Sequence, residues 1–198
     1  MTMLPAFTSP SEQRDQHVTG PKNKAHFRLS ALRLSSNHGW LTGMGRQFAC
    51  HLGAGGRQPF KREGDDAGPT GRFYPQFVCY RADRVIRPHT RLPLHALRPE
   101  WGWCDDPGHP RYNRPVMLPF PFSHEKLWRQ DHLYDLLLVI DHNIRPTRHR
   151  RGSAVFLHLS ANRPTAGCLA FSQFDFRQLL GLLDTHSIID FGPGSSGR

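Results

Sequence analysis

His158 and Cys168 flank a single loop, and a thiol within hydrogen-bond reach of an imidazole makes a cysteine nucleophile. A neutral thiol attacks carbonyls poorly at pH 7, whereas a thiolate held beside an imidazolium attacks well. Gly167 has no Cβ, so the backbone there can approach a ligand closely, and the N–H groups of the Thr165-Ala166-Gly167 turn could hold a developing oxyanion. A buried structural cysteine beside a hydrogen-bonded core histidine fits the same spacing, because one Cys and one His form no unique signature.

The elements that must position this pair read as strands. Ala154 to His158 is apolar and branched or aromatic, which suits a buried strand ending at the imidazole. Ser160, Asn162, Pro164 and Gly167 are loop formers, and Cys168 opens a second apolar run, Leu169 to Phe171. Tyr134 to Ile140 is the most apolar strand, expected at the sheet's centre, and it runs into Asp141-His142-Asn143. That polar cluster is a candidate second wall of the site, with His142 as a structural loop residue the alternative.

Elsewhere, Phe27 to Leu34 and Gly45 to Leu52 read as strands separated by Gly-rich turns, and Ser187 to Phe191 as a closing strand. Gly71 to Tyr80 reads as a strand that Pro75 confines to an edge or a bulge. Ser172-Gln-Phe-Asp175 forms a capping box and predicts a helix to about Leu183. Ser123, with Glu125 in the first turn, predicts a shorter helix to about Asp131. The fold class is therefore mainly β: a curved sandwich or barrel-like pair of sheets with two short helices. Residues 88–121, crowded with Pro, Trp, Tyr and Asp, are expected to form a lid or binding loop, with a packed surface loop the alternative.

A chain of 198 residues suits one domain. Its net charge of +10 should attract anions. The basic residues are scattered, with one cluster from Arg145 to Arg151, and there is no zinc-finger spacing, helix-turn-helix pattern or aromatic-basic repeat. An acidic wall polymer or anionic membrane surface explains the charge as well as nucleic acid does. The four cysteines, at 50, 79, 104 and 168, show no metal-ligand spacing, and the thirteen histidines include no H-x-x-x-H or H-E-x-x-H. No metal and no cofactor is expected. If the protein is exported, two of Cys50, Cys79 and Cys104 could be bridged, while a catalytic Cys168 stays free. Residues 1–25 lack an apolar run, so they read as a loosely packed extension, neither signal peptide nor anchor. Residues 192–198 read as a Gly/Ser tail, and no segment is apolar enough to span a membrane.

The order of motifs carries a resemblance. His158 followed by Thr165-Ala166-Gly167-Cys168 is similar to the active-site motif of the YkuD-type L,D-transpeptidases, a strand histidine before a Ser/Thr-His-Gly-Cys turn. Lys61-Arg-Glu-Gly-Asp-Asp-Ala-Gly-Pro-Thr-Gly-Arg-Phe73 resembles the family's Thr-Pro-x-Gly-x-Phe segment with its acidic lead-in. Gly102-Trp-Cys-Asp-Asp-Pro107 and Tyr112-Asn-Arg-Pro115 resemble a proteobacterial branch, and the likeness runs from about residue 27 to 191. This sequence departs from the pattern at Leu159, after the histidine, at Ala166, in place of the second histidine, at Ala170, where an Arg is usual, and in a shorter His-to-Cys interval.

The resemblance implies a catalytic domain over residues 26–191 and acyl transfer between peptidoglycan stem peptides in the periplasm, by a monomer. Cys168 would be the nucleophile and His158 its base. On the 88–121 segment, Asp105 and Asp106 would hold the acceptor's amine, Arg114 its carboxylate, and Trp103 and Tyr112 its shape, with His142 and Asn143 as the other wall. Two other functions remain open. The same pair could pass the acyl group to water, making a carboxypeptidase, or the chain could be a non-catalytic module binding cell wall or nucleic acid.

Overall fold

The structure is a computed structural model that describes residues 24–31, 33 and 35–192. The expected N-terminal extension up to residue 23, the tail beyond Gly192, and Leu32 and Leu34 of the first expected strand lie outside the described residues.

Alternating burial builds the first strands. In β1 (His26–Ser30), β2 (His38–Gly43) and β3 (Arg46–His51), Phe27, Leu29, Leu41, Phe48 and Cys50 point to the core while their neighbours point out. The short β4 (Arg57–Gln58), β5 (Gly68–Pro69) and β6 (Arg72–Phe73) follow, then β7 (Pro75–Tyr80), β8 (Leu94–Ala96), β9 (Trp101–Cys104), β10 (Arg114–Met117) and β11 (His124–Lys126). The chain closes with β12 (Leu136–Ile140), β13 (Phe156–Leu159), β14 (Leu169–Phe171), helix α1 (Gln173–Leu182) and β15 (Ile188–Asp190).

Ten strands form one sheet in the order β6-β15-β1-β2-β3-β14-β13-β12-β7-β8, and β10-β9-β11 form a second. A twisted sheet of this width curls. One face of the large sheet packs on α1, whose Phe176, Leu179 and Leu180 are fully buried and contribute about 1.5–3 kcal/mol each. The opposite face of β7, β12 and β13 packs on the small sheet through Phe77, Leu137, Val139 and Phe156 against Trp101, Trp103 and Leu127. All five residues of β12 are buried, as its apolar run predicts. Pro75 pairs with Ile140 where the β7–β12 register shifts, so the proline sits at an irregularity.

One expectation is corrected. Residues 123–131 form no helix: His124–Lys126 is an edge strand paired to β9, and Leu127 N–H continues to Trp101 O. That segment has no apolar stripe at helical period, so burying Leu127 beneath the small sheet decides its conformation. The one helix among the described residues is α1, with the Ser172 hydroxyl accepting from Asp175 N–H as the capping box predicts. Residues 88–121 supply β8, β9 and β10 and bury Trp101, Trp103, Cys104 and Tyr112, so much of the segment is core.

Candidate active site

Strand parity positions the chemistry. β13 and β14 are parallel neighbours with Leu157 opposite Leu169 and His158 opposite Ala170. Leu157, Leu159, Leu169 and Phe171 therefore enter the helix-side core, while Phe156, His158, Cys168 and Ala170 take the other face. On that face a cavity of about 440 Å³ is lined by Glu125, Arg129, Tyr134, His158, Arg163, Thr165, Ala166 and Cys168. Thiol and imidazole thus share one cavity.

His158 Nδ1 lies 2.7 Å from Leu159 O. A carbonyl only accepts, so Nδ1 carries the proton and the neutral ring keeps its lone pair on Nε2. Burial lowers the imidazole to about 4, with the Leu159 bond a smaller opposing effect. Tyr134 packs edge-on against the ring at 5.3 Å, and its own burial keeps the phenol protonated. The thiol receives Phe156 N–H at 3.3 Å and donates to Ala154 O at 3.3 Å. Burial pushes Cys168 up to about 11, opposed by the Phe156 N–H and, at longer range, by Lys61. The two groups rest as a neutral thiol and a neutral imidazole rather than as a preformed thiolate–imidazolium pair.

The turn before the thiol is braced from behind. Thr165 Oγ1 donates to Cys168 O at 2.7 Å, and Gly167 N–H donates to Thr165 Oγ1 at 3.2 Å. Gly167 has φ +120°, and a Cβ there would stand 2.5 Å from Ala67 O and 3.2 Å from Lys61 Nζ, so a side chain is excluded. Lys61 is buried and paired at 2.8 Å with Asp65, whose carboxylate also accepts from Ala67 N–H. The motif from Lys61 to Phe73 thereby packs a cation beneath the active-site turn.

Residues 23–190 match the YkuD family, the L,D-transpeptidase catalytic domain. The chain belongs to this family. No similar curated protein and no similar solved structure was found. In this L,D-transpeptidase domain, His158, Cys168, Thr165 and Ala166 line one cavity, with Gly167 in the turn beneath. The other residues singled out in the sequence lie outside its lining. Tyr112 donates to Glu63, Arg114 donates to Ile144 O at 2.5 Å, and His142 Nε2 bonds Arg151 O at 3.1 Å. Asn143 accepts from Arg148 N–H and donates to Gly152 O, while Asp106 caps its own turn at Gly108 N–H. Asp105 keeps one buried carboxylate oxygen unpartnered.

Asn113 connects that region to the thiol. Its Oδ1 accepts from Trp103 Nε1 at 2.9 Å and Ala154 N at 3.1 Å, and its Nδ2 donates to His142 O and Asn143 O. Ala154 is left-handed, φ +49°, which delays β13 to Phe156 and turns the Ala154 carbonyl onto the thiol. Sequence reasoning missed Asn113 as a hub, and it missed Glu125, Arg129, Tyr134 and Arg163 at the cavity. Arg163 lay within the His158–Cys168 loop and was findable by position. Glu125 is placed by the pairing of β11 with β9, and Arg129 has its carbonyl held by Arg81 and Arg84 at 2.8 and 3.0 Å, contacts across the fold that no local pattern reveals.

Proposed function

We propose that the protein joins peptidoglycan stem peptides through an acyl-enzyme on Cys168. The observation that carries this reading is the thiol sharing a cavity with an imidazole fixed as a base, in a chain of this family. His158 Nε2 takes the thiol proton as Sγ bonds the carbonyl carbon of the donor's L-centre. Thr165 N–H is committed to Leu52 O and Gly167 N–H to Thr165 Oγ1, which leaves the Ala166 and Cys168 N–H groups of this turn to meet the developing oxyanion. The C–N bond to the terminal D-residue then breaks, and the imidazolium returns its proton to the leaving amine. An acceptor amine, that of diaminopimelate or L-alanine on a second stem, attacks the thioester, and Sγ leaves as the thiol.

Charged groups at the cavity suit a zwitterionic donor. Arg129 is committed to Glu125 at 2.7 Å and Asp131 at 2.5 Å. Arg163 is exposed at the rim and pairs with no other described residue, leaving its fork for a stem carboxylate. On this reading the protein works in the periplasm. Incubation with purified muropeptides and mass spectrometry tests it: cross-linked dimers are expected. Trimmed monomers alone would make the protein a carboxypeptidase, and unchanged muropeptides would contradict both activities.

A further inference from the structure

The catalytic face does not end at the cavity. His158, Ala170, His51 and His38 are cross-strand neighbours in one row across β13, β14, β3 and β2. Ala170 lines both the catalytic cavity and a second groove of about 260 Å³ that runs over β3 to β2. The groove floor holds Trp40, 39% exposed, flanked on its face by the small cross-strand partners Ser30 and Ala49, so its ring is left uncovered. Around it stand polar groups: Asn162, Asp175, and the His51–Ser160 pair at 2.8 Å.

An open indole ringed by amide, carboxylate, imidazole and hydroxyl groups fits a pyranose, whose C–H face is apolar and whose edge is hydroxyls. We propose that this groove binds an N-acetylhexosamine of the glycan strand carrying the donor stem, an inference that rests on the stem-peptide reading above. The spacing agrees. Trp40 is level with Ser172, four residues beyond Cys168 and two strands away. At about 3.3 Å per residue and 4.8 Å per strand, thiol and indole are about 16 Å apart along the sheet. Three stem residues reach about 10–11 Å when extended. The γ-linkage of the second residue and the lactyl ether to the sugar supply the remaining bonds.

The test uses full-length Cys168→Ala protein, which cannot turn over, and the N-acetylglucosamine tetramer without any peptide. Saturation-transfer NMR should detect binding, and adding Trp40→Ala should weaken it about tenfold or more. Trp40 lies outside both apolar cores, and a thermal melt checks that its variant folds. If it does not fold, Asn162→Ala, on an exposed loop, makes the same comparison. For the enzyme with its cysteine intact, the ratio of kcat/KM for a disaccharide-tetrapeptide over the free tetrapeptide should fall toward one in Trp40→Ala. No tetramer binding, or equal binding by the folded variants, overturns the subsite. Tetramer binding, together with no cross-links formed from muropeptides by the protein with Cys168 intact, would sink the transpeptidase reading and leave the subsite standing.

Discussion

The loop from His158 to Cys168 and the segment from Trp101 to Arg114 are both rich in residues that bind or react, yet they use them in opposite ways. In the first, the groups face a cavity, and Arg163 at its rim pairs with no other described residue. In the second, several polar groups bond one another, Trp103 and Ala154 to Asn113, Asn113 to the His142 and Asn143 carbonyls, Arg114 to the Ile144 carbonyl, while Trp101 Nε1 and one Asp105 carboxylate oxygen are buried without a hydrogen-bond partner. The two are joined at Ala154, whose N–H belongs to the second region and whose carbonyl meets the thiol of the first. A site of this kind needs one set of groups kept available for the ligand and another hydrogen-bonded behind it, as the Asn113 hub is, so that the first is held still.

Substitutions in the two regions should therefore fail differently. His158→Gln removes the base from the cavity face and should slow acylation by about 10²–10⁴, measured as release of the terminal D-residue, with little change in thermal midpoint. Asn113→Ala should act first on the fold: it strands Trp103 Nε1, Ala154 N–H and two carbonyls, and should cost about 2–4 kcal/mol in denaturant unfolding. Arg163→Ala should do the reverse, lowering kcat/KM for the donor about ten- to a hundredfold at unchanged stability. The contrast between the regions breaks if Arg163→Ala unfolds the protein while Asn113→Ala alters only rate.

How far these roles were legible in the sequence follows from the same contrast. His158 and Cys168 could be singled out as a pair because each lies at the end of a short apolar run with one loop between them, and parity along β13 and β14 puts both on one face of the sheet. The capping box at Ser172 was legible because its partners are three residues apart. Trp103, Tyr112 and Arg114 looked available because a sequence does not show whether a polar group's partner is thirty or fifty residues away, as Ile144 and Glu63 are. Ser123 and Glu125 mimicked the start of a helix for the same reason: the partners that fix the segment as strand and loop are distant, β9 for His124–Lys126 and Arg81 and Arg84 for the Arg129 carbonyl.

The resting protonation state gives the finest test. With burial holding the thiol at about 11, alkylation of Cys168 by iodoacetamide should be slow at pH 7. It should rise up to about tenfold per pH unit as the solution approaches that value. Lys61 lowers the thiol, so Lys61→Met should move the profile a little further alkaline. A plateau already reached near neutral pH would show a preformed thiolate and contradict the neutral resting pair.

Covalent chemistry at Cys168 is tested most directly by intact-protein mass spectrometry after brief mixing with a stem tetrapeptide and no acceptor. The protein should gain the mass of the tetrapeptide less its terminal D-residue, on a peptide containing Cys168, and Cys168→Ala should gain nothing. Turnover without any such adduct, or an adduct of the same mass persisting in Cys168→Ala, would contradict an acyl-enzyme at this cysteine.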